Sequence, residues 1–427
     1  MQPVNGCALI LWRVCYLFIG EVRRANSVCV VHLDKESDSS VYKSWSTAIA
    51  GMLCLALGPG LMSIYGFFVE PLSQEFDVGV ALLNVGPVAL IVVPGFIAPL
   101  VGRLADRLPI RRLLLVGATL ATLSLVAVGM APTLLLVGLG FLSFSVGLTF
   151  YGPVVVNGLM VKTYPGQEAR ALAIAAIGIS IAAAILPPLV GNLMAQLDWR
   201  TTLIGLSVGI LACLWLIILN GVPRTAEGNV AVGEPQVSRD FYRQPAFWLI
   251  GLCVALGLNV SVVLAVCYPP HFIGLGYSAA EAGWFLALAG VAGLTGKSCL
   301  AWLGDGSQVS VKAIAVALLL MQVGGLSGLL YAEGALGIGA SLCLMGFGGG
   351  AFIPMHPYLN SRYFDATIIS QINGAQMPIF LPFGLVGAPL AGYVFDQTGN
   401  YSGALTGLAV TLVIAAVLVL RLPAPSR

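Results

Sequence analysis

Apolar runs of about 20 residues follow one another along most of this chain, and that spacing dictates the class of fold. A helix rises about 1.5 Å per residue, so about 20 residues cross a hydrocarbon core of about 30 Å. Twelve such runs are legible, at 47–71, 80–102, 113–131, 133–157, 171–195 and 201–221, then 246–270, 279–303, 312–332, 334–358, 371–395 and 402–421. The chain is 58% hydrophobic and only 9% charged, with a mean hydropathy of +0.95. An average soluble protein carries roughly a quarter charged residues, so this one has too few polar groups to coat a soluble surface. In lipid the backbone must satisfy its own hydrogen bonds, which makes each run a helix. An all-α membrane protein of twelve transmembrane helices is therefore expected. Gly58-Pro59-Gly60 and Gly348-Gly349-Gly350 would break soluble helices, whereas in a membrane glycine permits close helix contact.

Basic residues set the orientation. With the N-terminus in the cytoplasm, all but two of the 20 lysines and arginines lie on the cytoplasmic side; Lys297 is intramembrane and Arg200 is outside. A multi-pass protein of the plasma (inner) membrane with both termini cytoplasmic is expected. The net charge of +2 gives no reason to invoke nucleic acid. The nine cysteines lie in apolar runs or in the N-terminal leader. They form no CxxC or Cys/His cluster, so no disulfide framework, metal site or cofactor is expected. Residues 7–20 are apolar but short and interrupted by Arg13. Residues 1–44 read as a cytoplasmic or surface-lying leader or a start codon set too early, with a signal peptide or a thirteenth span as alternatives.

The polar stretch 222–245, with Pro223, Pro235 and Pro245, splits the spans six and six. The expected organisation is a leader 1–44, a six-helix bundle 45–221, a cytoplasmic linker 222–245, a second six-helix bundle 246–422 and a cytoplasmic tail 423–427. The halves echo each other at an offset of about 200. Pro188-Leu189-Val190-Gly191 matches Pro389-Leu390-Ala391-Gly392, Asp106 matches Asp305, and Pro71 matches Pro270. Two related six-span halves holding a solute between them near the midplane are a known carrier plan.

At these residues the chain resembles the major facilitator superfamily. Gly102-Arg103-Leu104-Ala105-Asp106-Arg107, with Arg111 and Arg112, is similar to that family's signature loop after the second span, although Pro109 and Ile110 stand where glycine and a basic residue are usual. Ala301-Trp302-Leu303-Gly304-Asp305 is a degenerate second copy. Glu168-Ala169-Arg170-Ala171-Leu172-Ala173, through Pro187-Pro188 to Asp198-Trp199-Arg200, resembles the monocarboxylate and oxalate–formate branch. The resemblance covers about residues 45–422. It implies a conformational latch drawn from Gly102, Asp106, Arg107, Arg111 and Asp305. A carboxylate at Asp106 suits such a role, since it can bond an arginine or the free N–H groups at a neighbouring helix start.

Lys297 is the only lysine or arginine well inside a long apolar run, about 9 Å from the expected end of its span. A charge there is costly in lipid and faces a protein interior or a wet path, unless the side chain snorkels to the interface. It lies eight residues before Asp305, where the resemblance places an anion-binding arginine. A lysine lacks the two-pronged fork of arginine. Gly293 and Met62 occupy positions where members of that branch carry aspartate and lysine, so the usual proton-coupling pair is missing. Tyr65, Tyr151, Asn157, Asn259, Tyr268, Asn373 and Gln376 lie on spans that line the cavity in the resembling family. Each is a candidate to bond solute, or else to glue helices together. Glu70, Glu75, Asp77, Asp198, Glu281, Glu333 and Asp396 fall at outer ends or loops, where a membrane-crossing proton relay is not expected. His271 and His356 read as interfacial, and Trp45, Trp199 and Trp248 as belt residues.

The expected function is a secondary transporter for a small organic anion, a mono- or dicarboxylate, rocking two halves around a central site. A proton or a counter-anion is the candidate coupling partner. No GxxxxGK[ST] loop is present to cradle a nucleotide phosphate. An exporter of amphipathic drugs or metabolites is the first alternative, although Ala182-Ala183-Ala184-Ile185-Leu186-Pro187 replaces the glycine-proline pattern of antiporters. A membrane enzyme would need a nucleophile–base or metal-ligand set at depth. Three histidines without a nearby acid cluster do not supply one. A sensor would normally add a soluble signalling domain, and no segment is long enough for one.

Overall fold

The computed structural model describes residues 35–78, 86–194, 196–223, 240–277, 279–306 and 309–424. Residues 1–34 of the expected leader and 224–239 of the expected linker lie outside them. The described residues up to Ser46 belong to one unit and those from Thr47 onward to a second. Among the described residues the chain is helical, with no strand. Eleven stretches are long and apolar enough to cross a membrane. The remaining expected span is the helix Gly86–Arg107, whose last turns carry Arg103, Asp106 and Arg107.

The helices are α1 (Lys35–Ala56), α2 (Gly66–Phe76), α3 (Gly86–Arg107), α4 (Ile110–Met130), α5 (Leu134–Tyr151), α6 (Pro153–Thr163), α7 (Glu168–Met194) and α8 (Trp199–Gly221) in the first half. The second half holds α9 (Pro245–Gly274), α10 (Ala279–Gly306), α11 (Val311–Tyr331), α12 (Gly334–Tyr363), α13 (Ile369–Thr398) and α14 (Ser402–Leu420). Two expected spans are interrupted. The first passes through the 3₁₀ segment Pro59–Ile64 between α1 and α2, and the fourth breaks at Gly152 between α5 and α6. Proline explains both sites: Pro59 and Pro153 each lack the N–H that would continue the preceding helix, and each opens the next one.

In the first half α4 packs on α5 and α8, and α3 on α5; in the second α12 packs on α10 and α11, α13 on α9, and α14 on α11 and α9. The bundles meet mainly along two crossings, α3 with α13 and α7 with α10. In span order these are two with eleven and five with eight, so shifting each member by six spans turns one crossing into the other. The pseudo-repeat read from the sequence is thus present in the packing.

The basic residues Arg103, Arg107, Arg111, Arg112, Lys162, Arg170, Arg362 and Arg421 lie at helix termini on one face of the protein, here termed the basic end. Arg111 donates to the Leu219 carbonyl at the end of α8, and Lys312 to the carbonyls of Leu420 and Leu422 at the end of α14. Cations therefore satisfy the orphan carbonyls of helix C-termini. At the opposite end Arg200 donates to Glu75 and to the carbonyls of Gly129 (2.7 Å) and Ala131 (2.8 Å), tying α2, α4 and α8 together. Trp199, expected as a belt residue, is instead buried and donates to Glu75 at 2.7 Å.

Candidate functional site

α10 is longer than its sequence suggests, ending at Gly306, and Lys297 lies about 14 Å from that end at helical rise. The side chain is 4% exposed. Its ammonium crosses to α7, in the other bundle, where it donates to Ser180 Oγ at 2.6 Å and more weakly to the Ala176 carbonyl at 3.4 Å. Ser180 and Ala176 are one helical turn apart, so a single face of α7 receives the lysine. The nitrogen does not point along the helix toward the basic end, as snorkelling would require. No described carboxylate pairs with it. A buried charge with two neutral oxygens for company is under-compensated, because burial costs several kcal/mol per ion unless a counter-charge repays it.

A second polar locus lies in the C-terminal bundle. Gln376 of α13, fully buried, donates through Nε2 to the Phe247 carbonyl of α9 at 2.8 Å. Its Oε1 is thereby left to accept from Asn360 Nδ2 at 2.7 Å and to meet His356 Nε2 at 2.7 Å. An amide oxygen facing an imidazole nitrogen requires that nitrogen to carry its proton, an assignment made from the network. Asn360 also donates to Asn373 Oδ1 at 2.7 Å. Asn360 Oδ1 and Asn373 Nδ2 are buried without a partner. His356, expected at an interface, is thus a core residue at 5% exposure, because the helix runs on to Tyr363 beyond it.

The other sequence candidates do not share a hydrogen bond with Lys297. Tyr151 is fully buried, and its hydroxyl donates to the Leu57 carbonyl at 2.9 Å, where α1 gives way to the 3₁₀ segment. Tyr65 is half-buried and sits edge-on to Phe141. With Leu61, Met62, Ile64 and Leu148 it lines a small apolar cavity of about 50 Å³ inside the N-terminal bundle. Asn157 is half-buried on α6. Asn259 Oδ1 and the Tyr268 hydroxyl, both on α9, are buried without partners.

At the basic end, Asp106 accepts from Lys162 Nζ at 2.7 Å and from the backbone N–H groups of Ser370 (3.3 Å) and Gln371 (2.7 Å). Those amides belong to the first turn of α13, where a helix start offers unpaired N–H groups and a partial positive charge. The cation at Asp106 is a lysine from α6, not one of the arginines beside it in sequence; Arg107 is exposed and Arg111 caps α8. Gly102 permits the approach, since a Cβ there would overlap the Ser370 carbonyl oxygen. Asp305 lies in α10, with its side chain outside the described residues.

Sequence reasoning missed Ser180, Lys162, His356 and Asn360. A signal existed for one pair: His356 and Asn360 stand four apart in an apolar run and so share a helix face. Nothing local distinguishes Ser180 from any other serine in a span.

Residues 51–383 match the family model of the Major Facilitator Superfamily. Monocarboxylate transporter 13 of Rattus norvegicus is 25% identical over 390 residues, 89% of each chain. A 2-nitroimidazole transporter of Escherichia coli K12 is 28% identical over 336 residues, 75% of this chain and 81% of the relative. The solved structure of the proton:xylose symporter XylE bound to 6-bromo-6-deoxy-D-glucose superposes with a TM-score of 0.73 at 13% identity, covering 91% of this chain and 97% of that one.

Proposed function

The chain belongs to the major facilitator superfamily, and on that premise we propose that it is a secondary transporter moving a small organic anion, a mono- or dicarboxylate, by alternating access. Proton symport or anion exchange would drive it. The observation that carries this reading is Lys297, a buried ammonium reaching between the bundles with no described carboxylate to neutralise it. An anionic solute would supply the missing charge and repay part of the lysine's desolvation. Relatives about 25% identical bear the name monocarboxylate transporter, which favours the same solute class.

In this reading the bundles are 45–221 and 246–422, joined by a cytoplasmic linker 222–245, and the basic end faces the cytoplasm as the positive-inside rule directs. Asp106, clamped to Lys162 and to the start of α13, is the latch that holds the basic end closed. Proteoliposome uptake of radiolabelled carboxylates tests the solute assignment. Lys297→Ala abolishes uptake and Lys297→Arg retains part of it; undiminished uptake by the alanine variant rules the assignment out. Asp106→Asn slows turnover more than it weakens binding, and an unchanged rate with altered affinity contradicts the latch.

A second reading, transport of a neutral amphipathic compound, draws on the 2-nitroimidazole transporter relative and on the apolar cavity beside Tyr65. Under that reading the same liposomes take up 2-nitroimidazole, and Lys297→Ala leaves that flux intact.

A further inference from the structure

The ammonium of Lys297 and the hydroxyl of Ser180 belong to different bundles, so their contact is at once a ligand bond and a strut between the two moving halves. Two features of this contact decide how an anion would use it. First, the lysine is 4% exposed, so the protein already covers almost all the surface through which a solute would reach it. Second, its other neighbour is the Ala176 carbonyl, whose lone pairs point at the nitrogen and would repel a carboxylate brought alongside. With so little of the lysine exposed, an anion gains the ammonium by drawing it off α7. Ser180 itself is only partly buried.

We propose, building on the anion-transport reading, that Ser180 is a stand-in ligand: it holds Lys297 across the bundle interface while no solute is bound, and the arriving anion takes its place. The exchange breaks one bond between the bundles for each anion bound. Binding energy is thereby coupled to separation of α7 from α10, which is the differential contact a ligand needs to shift a conformational equilibrium. Because the hydroxyl competes with the solute, it also sets the affinity threshold. Its loss tightens anion binding, opposite to the loss of a residue that itself grips solute.

Two measurements on the full-length protein in detergent test this. The first needs no solute: reductive methylation with formaldehyde and cyanoborohydride, read by mass spectrometry at Lys297, with Lys162 as internal reference. Ser180→Ala raises modification of Lys297 about tenfold, the effect of losing a charge-assisted hydrogen bond, while Ser180→Thr, which keeps the hydroxyl, behaves as the wild type. The second is calorimetric binding of pyruvate and of benzoate. Ser180→Ala tightens it about tenfold, and this gain vanishes in the Lys297→Met background. Methylation of Lys297 that ignores Ser180→Ala overturns the proposal, as does weaker anion binding by that variant. A wild-type protein that binds neither carboxylate overturns the anion reading instead, while the methylation result still decides whether Ser180 masks the lysine.

Discussion

The two crossings that join the bundles are equivalent by the six-span shift, yet they are built from opposite materials. Ala98 lies eight residues before Asp106, as Lys297 does before Asp305. At the first position α3 meets α13 backbone to backbone: a Cβ on Gly374 would overlap the Ala98 carbonyl oxygen, and one on Gly102 that of Ser370. At the second position α10 meets α7 through a lysine and a serine. One crossing is close at this level, and the Asp106 carboxylate two turns on is spent on capping a helix start and on Lys162. The other interposes a long cation with no described carboxylate against it. Under the proposed function, a repeated fold assigns closure to one copy of an interface and recognition to the other.

Single substitutions on the two crossings should differ accordingly. Lys297→Ala should take carboxylate uptake to background, a loss of at least about 100-fold, since losing one partner of a buried charged contact costs about 3 kcal/mol. An equal loss in Ala98→Ser, measured in the same liposomes, would erase the distinction between the crossings. Gly102→Leu should lower turnover about tenfold by overpacking the closed α3–α13 contact, a cost of about 1–3 kcal/mol, with carboxylate affinity unchanged. Behind that crossing, Gln376→Leu should lower stability by about 2 kcal/mol, because it removes the acceptor that the buried His356 Nε2 bonds and the donor to the Phe247 carbonyl; a denaturation series reads it. Ile64→Val, beside the cavity of the N-terminal bundle, should cost about 1 kcal/mol and leave anion binding alone.

The smallest effect lies at the end away from both crossings. The hydrogen bond from Arg200, aided by the Trp199 indole, holds the Glu75 carboxyl below its usual range. A lowered carboxylate contributes stability above its unfolded pKa and loses it as the pH falls through the folded value. The group is well exposed, so solvent screens most of the gain. Glu75→Gln should flatten the acid side of a melting-temperature profile slightly and leave the neutral value nearly unchanged.

Span number and the two-bundle plan were legible because lipid enforces them through length and polarity, which are local properties. The interruptions of the first and fourth spans were not placed, although Pro59 and Pro153 were visible, because membrane helices often absorb proline without breaking. Lys297 stood out since a lone cation in an apolar run is costly wherever it points. Its partner did not, as Ser180 is separated from it by 117 positions and chosen by bundle packing alone. The same applies to Asp106. The expectation of a helix-start contact was readable from the chemistry of a carboxylate, and the geometry supplies one, but Lys162 was hidden among basic residues that orientation already explained. Gln376 and Asn373 were flagged as solute ligands from their position on a cavity-lining span. The structure spends the Gln376 amide, Asn373 Oδ1 and Asn360 Nδ2 on one another and on the backbone, and leaves Asn373 Nδ2 unpaired.

The unmatched ammonium has an electrical consequence. If Lys297 keeps its proton and the solute is the proposed monoanion, the empty carrier holds that positive charge between its halves and the loaded carrier has it neutralised. A membrane potential then acts on the return of the empty form and hardly at all on the loaded crossing, with up to about 2.3 kcal/mol per 100 mV if the charge traverses the whole field. Voltage would set the pace of recycling, and the cell's own polarisation would decide which way the unladen carrier prefers to face.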